Sequence, residues 1–257
     1  MTAAPLYQRV GLLFVLLGLW QAIVTVFHVS PVLLPSPADI GVRLYELVAS
    51  GQIWPHLAAT LISVLSGFLI GSIAGVIIGG IISLFPALER LLYSYVVALQ
   101  TVPKVAIAPL LLLWFGYGLT SKIVIAALVC FFPVLVSVMA GFNSADVNQL
   151  EMMKSFGATR WQTLIYLRVP SALIMIFAGL EIAAVFAVIG AVVGEFVGAQ
   201  RGLGYLLTVL NFNLDVAGVF AVLIILSLIG VVIHAVVKAA GRRCVFWAQS
   251  ERVSFVS

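Results

Sequence analysis

Two charges stand inside long apolar stretches: Lys104 in QTVPKVAIAP (residues 100–109) and Glu181 in AGLEIAA (178–184). A charge at membrane depth is costly, so it marks a substrate path, a proton relay or an ion pair. Three roles are open to Lys104: pairing with Glu181, snorkelling to an interface, or lining a watery path together with Gln100, Pro103 and Pro109. Glu181 is free to balance Lys104, to face water or to meet a cationic solute group. Pairing is the simplest reading, because removing one partner of a buried pair leaves a charge costing roughly 3–5 kcal/mol. Glu195, in VVGEFVG, completes the path candidates. Ser137 and His234 have the residue types of an intramembrane serine hydrolase. No G-x-S-G surrounds Ser137, however, and His234 lies beside Lys238 near the end of its stretch, where a structural histidine is expected. Cys130 and Cys244 are far apart and form no C-x-x-C, so neither a zinc site nor a disulfide framework is indicated, and no metal site is expected. There is no G-x4-G-K-[ST] phosphate loop, since GYGLTSK (116–122) only approximates one. Any ATP chemistry must therefore belong to a partner.

The elements that must carry these residues are membrane spans. Of 257 residues 63% are hydrophobic and 9% charged, against roughly 25% charged in a soluble domain. A span needs about 20 mostly apolar residues. Six stretches qualify, at roughly 10–29, 57–85, 91–115, 123–142, 171–194 and 216–237. The first follows Arg9 but lacks a small-x-small cleavage site, so it reads as a retained span. The third holds Pro103 and Pro109, which loosen its backbone. Loose backbone is tolerated only where protein or water encloses it. Putting the N-terminus in the cytoplasm leaves Arg9, Arg90, Lys154, Arg160, Arg168, Lys238, Arg242, Arg243 and Arg252 inside and only Arg43, Lys122 and Arg201 outside. That asymmetry sets the orientation. The net charge of +4 says nothing about nucleic acid, and no nucleic-acid partner is expected.

Between the spans, residues 30–56 read as a proline-rich extended piece and then a short interfacial helix, ADIGVRLYELVAS. Residues 195–215 are glycine-rich and then apolar enough to dip into the membrane or lie on it. Gly67, Gly71, Gly75 and Gly79 recur every fourth residue, a small-x-x-x-small ladder that lets helices approach closely. A four-residue step overshoots one turn by about 40°, which favours a crossing partner over a parallel one. An ion-driven carrier or channel is the rival class. A carrier typically shows an inverted repeat with broken helices in both halves, and neither that repeat nor a charged relay stripe is visible.

The longest polar stretch is 143–170, on the inner side, and it reads as two short helices hinged at Gly157. Glu151, Gly157, Leu167 and Pro170 stand at the spacing E-x5-G-x9-[IL]-x2-P. This resembles the cytoplasmic EAA loop of bacterial ABC-importer permeases, with Met152 and Met153 where two alanines are usual. VPKVAIAPLLLLWFGYGLTSK (102–122), AVVGEFVGAQRGLGYLL (191–207) and LPSPADI (34–40) are similar to segments of the nitrate, sulfonate, taurine and bicarbonate group.

The resemblance implies an all-α membrane protein of six transmembrane helices, with a type I (MetI-like) ABC-importer permease core and a cytoplasmic coupling helix. It implies an N-terminal unit at 1–56, the transmembrane domain at 57–240 with the coupling loop, and a cytoplasmic tail at 241–257. The ATPase-coupling residues would be Glu151, Met152, Met153, Phe156, Gly157, Ala158, Arg160, Trp161 and Leu164. The partners would be two copies of an ABC ATPase subunit, a second and identical permease, an extracytoplasmic substrate-binding protein and the lipid bilayer. ATP and magnesium would sit on the ATPase, with no cofactor in this chain. The location would be a bacterial inner membrane, with both termini cytoplasmic. The solute would be a nitrate-, sulfonate- or taurine-like anion, or a small organic molecule such as a pyrimidine precursor. Relatives often carry a basic residue where this chain has Glu181.

Overall fold

The computed structural model describes residues 6–249. Arg252 and the rest of the tail from 250, like residues 1–5, lie outside them. Every described element is helical. In chain order these are α1 (Leu6–Val26), α2 (Pro37–Ala49), α3 (Ile53–Leu84), α4 (Pro86–Thr101), α5 (Lys104–Phe115), α6 (Leu119–Phe142), α7 (Val147–Ser155), α8 (Arg160–Thr163), α9 (Val169–Gly198), α10 (Leu203–Phe212) and α11 (Val216–Cys244).

The boundaries follow local chemistry. Ser36 and Asp39 form a reciprocal capping box over Pro37 at the start of α2. Asp215 caps α11 by accepting from Gly218 N–H at 2.8 Å. α3 begins at Ile53 and α11 runs to Cys244, so the helices pass through the expected boundaries at 56/57 and 240/241. α2 is also tied to the bundle. Arg43 Nε donates to Asp215 at 2.7 Å and Nη1 to Glu46 at 2.8 Å, and these bonds, Glu46 first, hold the guanidinium more firmly protonated.

Four helical stretches are long and apolar enough to span: Ile53–Leu84, Leu119–Phe142, Arg160–Gly198 and Val216–Cys244. The expected third span at 91–115 is instead two helices, α4 and α5, bent by 88°. Pro103 is the reason. It has no N–H to continue α4, and it drives the preceding Val102 into an extended conformation (φ −60°, ψ 128°). α1 has 21 residues and is apolar over Gly11–Val26.

The loop at 143–170 also differs from expectation. α7 is a separate helix, but α8 is not an independent second piece. It runs through a π-helical turn, Leu164–Arg168, straight into α9, with Val169 N–H reaching back to the Leu164 carbonyl. The longer register suits Pro170, which cannot donate into the normal ladder.

α6 is the axis of the fold. On one side each ladder glycine of α3 faces the α6 residue 59 positions on: Gly67 faces Ala126, Gly71 Cys130, Gly75 Val134 and Gly79 Val138. A Cβ on Gly75 or Gly79 would lie 2.9 Å from the valine Cβ. The constant offset makes α3 and α6 parallel over several turns, not a single crossing. A shared four-residue period exceeds 3.6, so the pair wraps right-handed. On the other side α9 runs antiparallel. Gly179 meets Ser137, Gly190 meets Ala126 and Gly194 meets Lys122. Ala126 thus touches glycines from both neighbours, and this triple packing holds the bundle together.

Candidate functional site

At one end of the bundle lies the elbow. Asp146 caps α7 through Asn148 N–H, and Thr159 with Gln162 forms a capping box on α8. Between them Gly157 adopts φ +72°, the left-handed conformation that turns the chain, and nothing lies within 4 Å of where its Cβ would be. Its role inside the chain is therefore the turn. Glu151 and Arg160 are exposed, Met152 is half out, and Met153, Ala158 and Leu164 are partly covered. Phe156 is 80% and Trp161 69% exposed. Two large aromatics on a capped, otherwise polar elbow form an apolar contact surface with nothing of this chain upon it. Tyr166 is equally open; it lies within the matched spacing, but none of the pattern's fixed positions falls on it. Asn143, where the elbow begins, donates to Glu89 at the start of α4.

The path candidates do not form one cluster. Gln100, Pro103 and Pro109 are exposed around the α4–α5 break. Lys104 does not pair with Glu181. Its Nζ donates to the Gln100 carbonyl at 2.6 Å and lies 4.8 Å from the centre of the Phe132 ring. The physical reason is local: the break leaves carbonyls at the end of α4 without helical donors, and the ammonium is within reach of one. Replacing Lys104 with Met keeps the aliphatic stem and removes the charge. The expected cost is about 1–2 kcal/mol, read as a lower thermal midpoint and faster proteolysis between 101 and 104. Glu181 instead faces His234, Oε2 to Nε2, at 3.8 Å. Ser137 packs against Gly179 and His234 faces Glu181, so these two do not form a nucleophile–base pair.

Glu195 is enclosed, at 1% exposure. Its carboxylate accepts from Thr60 Oγ1 at 2.8 Å and from Gly204 N–H, in the first turn of α10, at 2.7 Å. Thr60 Oγ1 in turn accepts from Leu203 N–H at 2.7 Å. Buried Lys122 donates to the Arg201 carbonyl at 2.6 Å, and Gly202 N–H donates to His56 Nδ1 at 3.2 Å. Glu195 is thus the centre of a clasp that α3, α6 and α9 close on the start of α10, and not an open wall. Thr60, His56 and Lys122 had no shared sequence signal with Glu195, because α3 brings the first two and α6 the third from distant parts of the chain.

Residues 67–245 match the sequence family described as binding-protein-dependent transport system inner membrane component. The chain belongs to that family. It is 38% identical to the riboflavin transport system permease protein RibX of Chloroflexus aurantiacus, over 93% of this chain and 89% of that one. It is 37% identical to the formylaminopyrimidine transport permease protein ThiX of Halalkalibacterium halodurans, over 86% and 88%. With the taurine transport system permease protein TauC of Escherichia coli it shares 30%, over 93% and 88%. A chain of the MetNI methionine ABC transporter, solved in inward-facing conformations, matches with a TM-score of 0.55 and 24% identity over 75% of this chain and 92% of that one, which establishes the fold. The chain is therefore an inner-membrane permease subunit of an ATP-driven ABC importer for a small solute, working with an ATPase and a substrate-binding protein. It is a transport subunit and not an enzyme.

Proposed function

We propose that the elbow at 143–170 is the seat of the ATPase, one ATPase subunit per permease, and that two identical permeases enclose one path. Both termini are cytoplasmic in this reading, as the Lys and Arg asymmetry requires. The observation that carries it is the exposure of Phe156 and Trp161 on either side of the Gly157 turn. Closure of the ATPase dimer on ATP moves the elbow. Because α8 is continuous with α9, the displacement enters the fifth span as a rigid lever, and hydrolysis resets it. Glu151 and Arg160 flank the aromatics as charged contacts, with Met152, Met153, Ala158 and Leu164 forming their apolar border.

The solute we propose is a small nitrogen-bearing organic molecule, neutral or cationic. The relatives named for riboflavin and formylaminopyrimidine are 38% and 37% identical, and the one named for taurine 30%. Glu181, an acid at membrane depth, favours a donor-bearing solute over an oxyanion.

Copurification with the tagged chain tests the seat. An ATPase subunit is expected to come with the wild type. Gly157→Asp keeps the turn, since Asp tolerates the left-handed region and the space is open, but it sets a charge in the contact. The variant is expected to insert normally and to lose ATPase stimulation at least tenfold. Transport at the wild-type rate by that variant overturns the proposal.

A further inference from the structure

Glu181 and His234 are partly exposed, at 30% and 38%, and His234 Nδ1 is buried with no hydrogen-bond partner. At 3.8 Å their contact is too long for a hydrogen bond. His234 closes one end of a cleft of about 640 Å³ between α9 and α11, with Glu181 beside it. Val185, Ile189 and Phe196 line one wall, and Leu223, Ser227 and Gly230 the other. The cleft is open at Gly230, where an added Cβ would meet nothing within 4 Å.

We infer that this cleft is a water-reached wall of the solute path, holding a flat, largely apolar ring that presents N–H donors to Glu181 and His234. The inference deepens the solute class proposed above and rests on that reading. Its volume falls in the range of small-molecule sites, roughly 300–1,000 Å³, which are mostly apolar with a few polar groups that orient the ligand. Two ionisable groups at its end argue against a lipid-filled groove, since such groups in spans turn toward the protein interior or water. No short hydrogen bond joins the pair, so a ligand edge can enter without breaking one, and the carboxylate keeps free lone pairs. A phosphate or sulfonate would meet like charge there. The next cation along the same helix, Lys238, lies a full turn beyond His234, and Lys104 is engaged at the α4–α5 break.

The test is thiol accessibility in the assembled importer. Gly230→Cys is made in a chain carrying Cys244→Ser. Cys130 is silent, being buried with its Sγ donating to the Ala183 carbonyl. Membrane vesicles are treated with a charged, membrane-impermeant methanethiosulfonate or with membrane-permeant N-ethylmaleimide. The charged reagent is expected to react, and saturating riboflavin, a flat ring with an N–H edge, is expected to slow it at least threefold while taurine does not. Reaction with the permeant reagent alone makes the cleft lipid-facing and overturns the inference. So does protection by taurine or by neither compound. Copurification of the ATPase is read on the same vesicles, and its presence separates failure of this inference from failure of the proposed elbow function.

Discussion

Glu195→Ala will release the outer clasp. The substitution leaves the Gly204 N–H without its acceptor and the Thr60 hydroxyl without its carboxylate. Each unmet buried donor costs about 1–3 kcal/mol. The two bonds share one carboxylate, so the expected loss is about 2–4 kcal/mol and not their full sum. Gly202 adds a steric argument: its φ is +133° and an added Cβ would strike the Glu195 carboxylate, so this backbone is shaped around that side chain. Hydrogen exchange should show residues 199–212 opening before the rest of the bundle, with α3 and α6 protected. Glu195→Gln keeps one acceptor and the shape but loses the charge. It should retain the Gly204 or the Thr60 bond and recover part of the protection. Equal protection in the wild type and Glu195→Ala would show that α10 is held by its buried leucines alone.

The contrast between the clasp and the elbow shows what a sequence can disclose. The elbow is local: Glu151, Gly157, Leu167 and Pro170 lie within twenty residues, so their spacing is visible in one line of text, and the Gly157 turn appears in the structure with φ +72°. The clasp is assembled from Thr60, Lys122, Glu195 and Gly204, and only the last two are near each other in sequence. Glu195 was therefore legible as an oddity, a charge beside an apolar run, but its partners were not. Lys104 and Glu181 fail in the opposite sense. Pairing two intramembrane charges of opposite sign is sound physics, yet the proline break supplied Lys104 with an orphan carbonyl four residues away, and α11 set His234 against Glu181. Hydropathy alone shows the third apolar stretch as one span; the prolines in it signal loosened backbone, and the structure sets the break at Pro103 with a bend of 88°.

Gly71→Leu should have the largest effect of any single change in the spans. A Cβ at this position would collide with the Ala127 carbonyl oxygen and stand 3.0 Å from both Ala127 Cα and Cys130 Cβ. Backbone cannot rotate away as a side-chain tip can, so α3 and α6 would have to part. Overpacking a core costs typically 1–3 kcal/mol when side chains absorb it. Here the strain falls on backbone, and it propagates: Gly67, Gly75 and Gly79 share the same α6 face in register, and α6 is pinned on its far side by Gly179, Gly190 and Gly194. Parting the helices at one rung therefore loosens the neighbouring rungs and, through Ala126, the contact with α9. The expected result is a chain that inserts but does not reach a protease-resistant state or copurify with its ATPase. Gly80→Leu is the control, on the same helix with nothing within 4 Å of its Cβ. It should fold, since it adds the same bulk to open space. If both variants assemble alike, the glycine register is not what joins α3 to α6. If only the ladder position fails, the glycine register is what joins α3 to α6, and bulk on this helix is harmless where it meets open space.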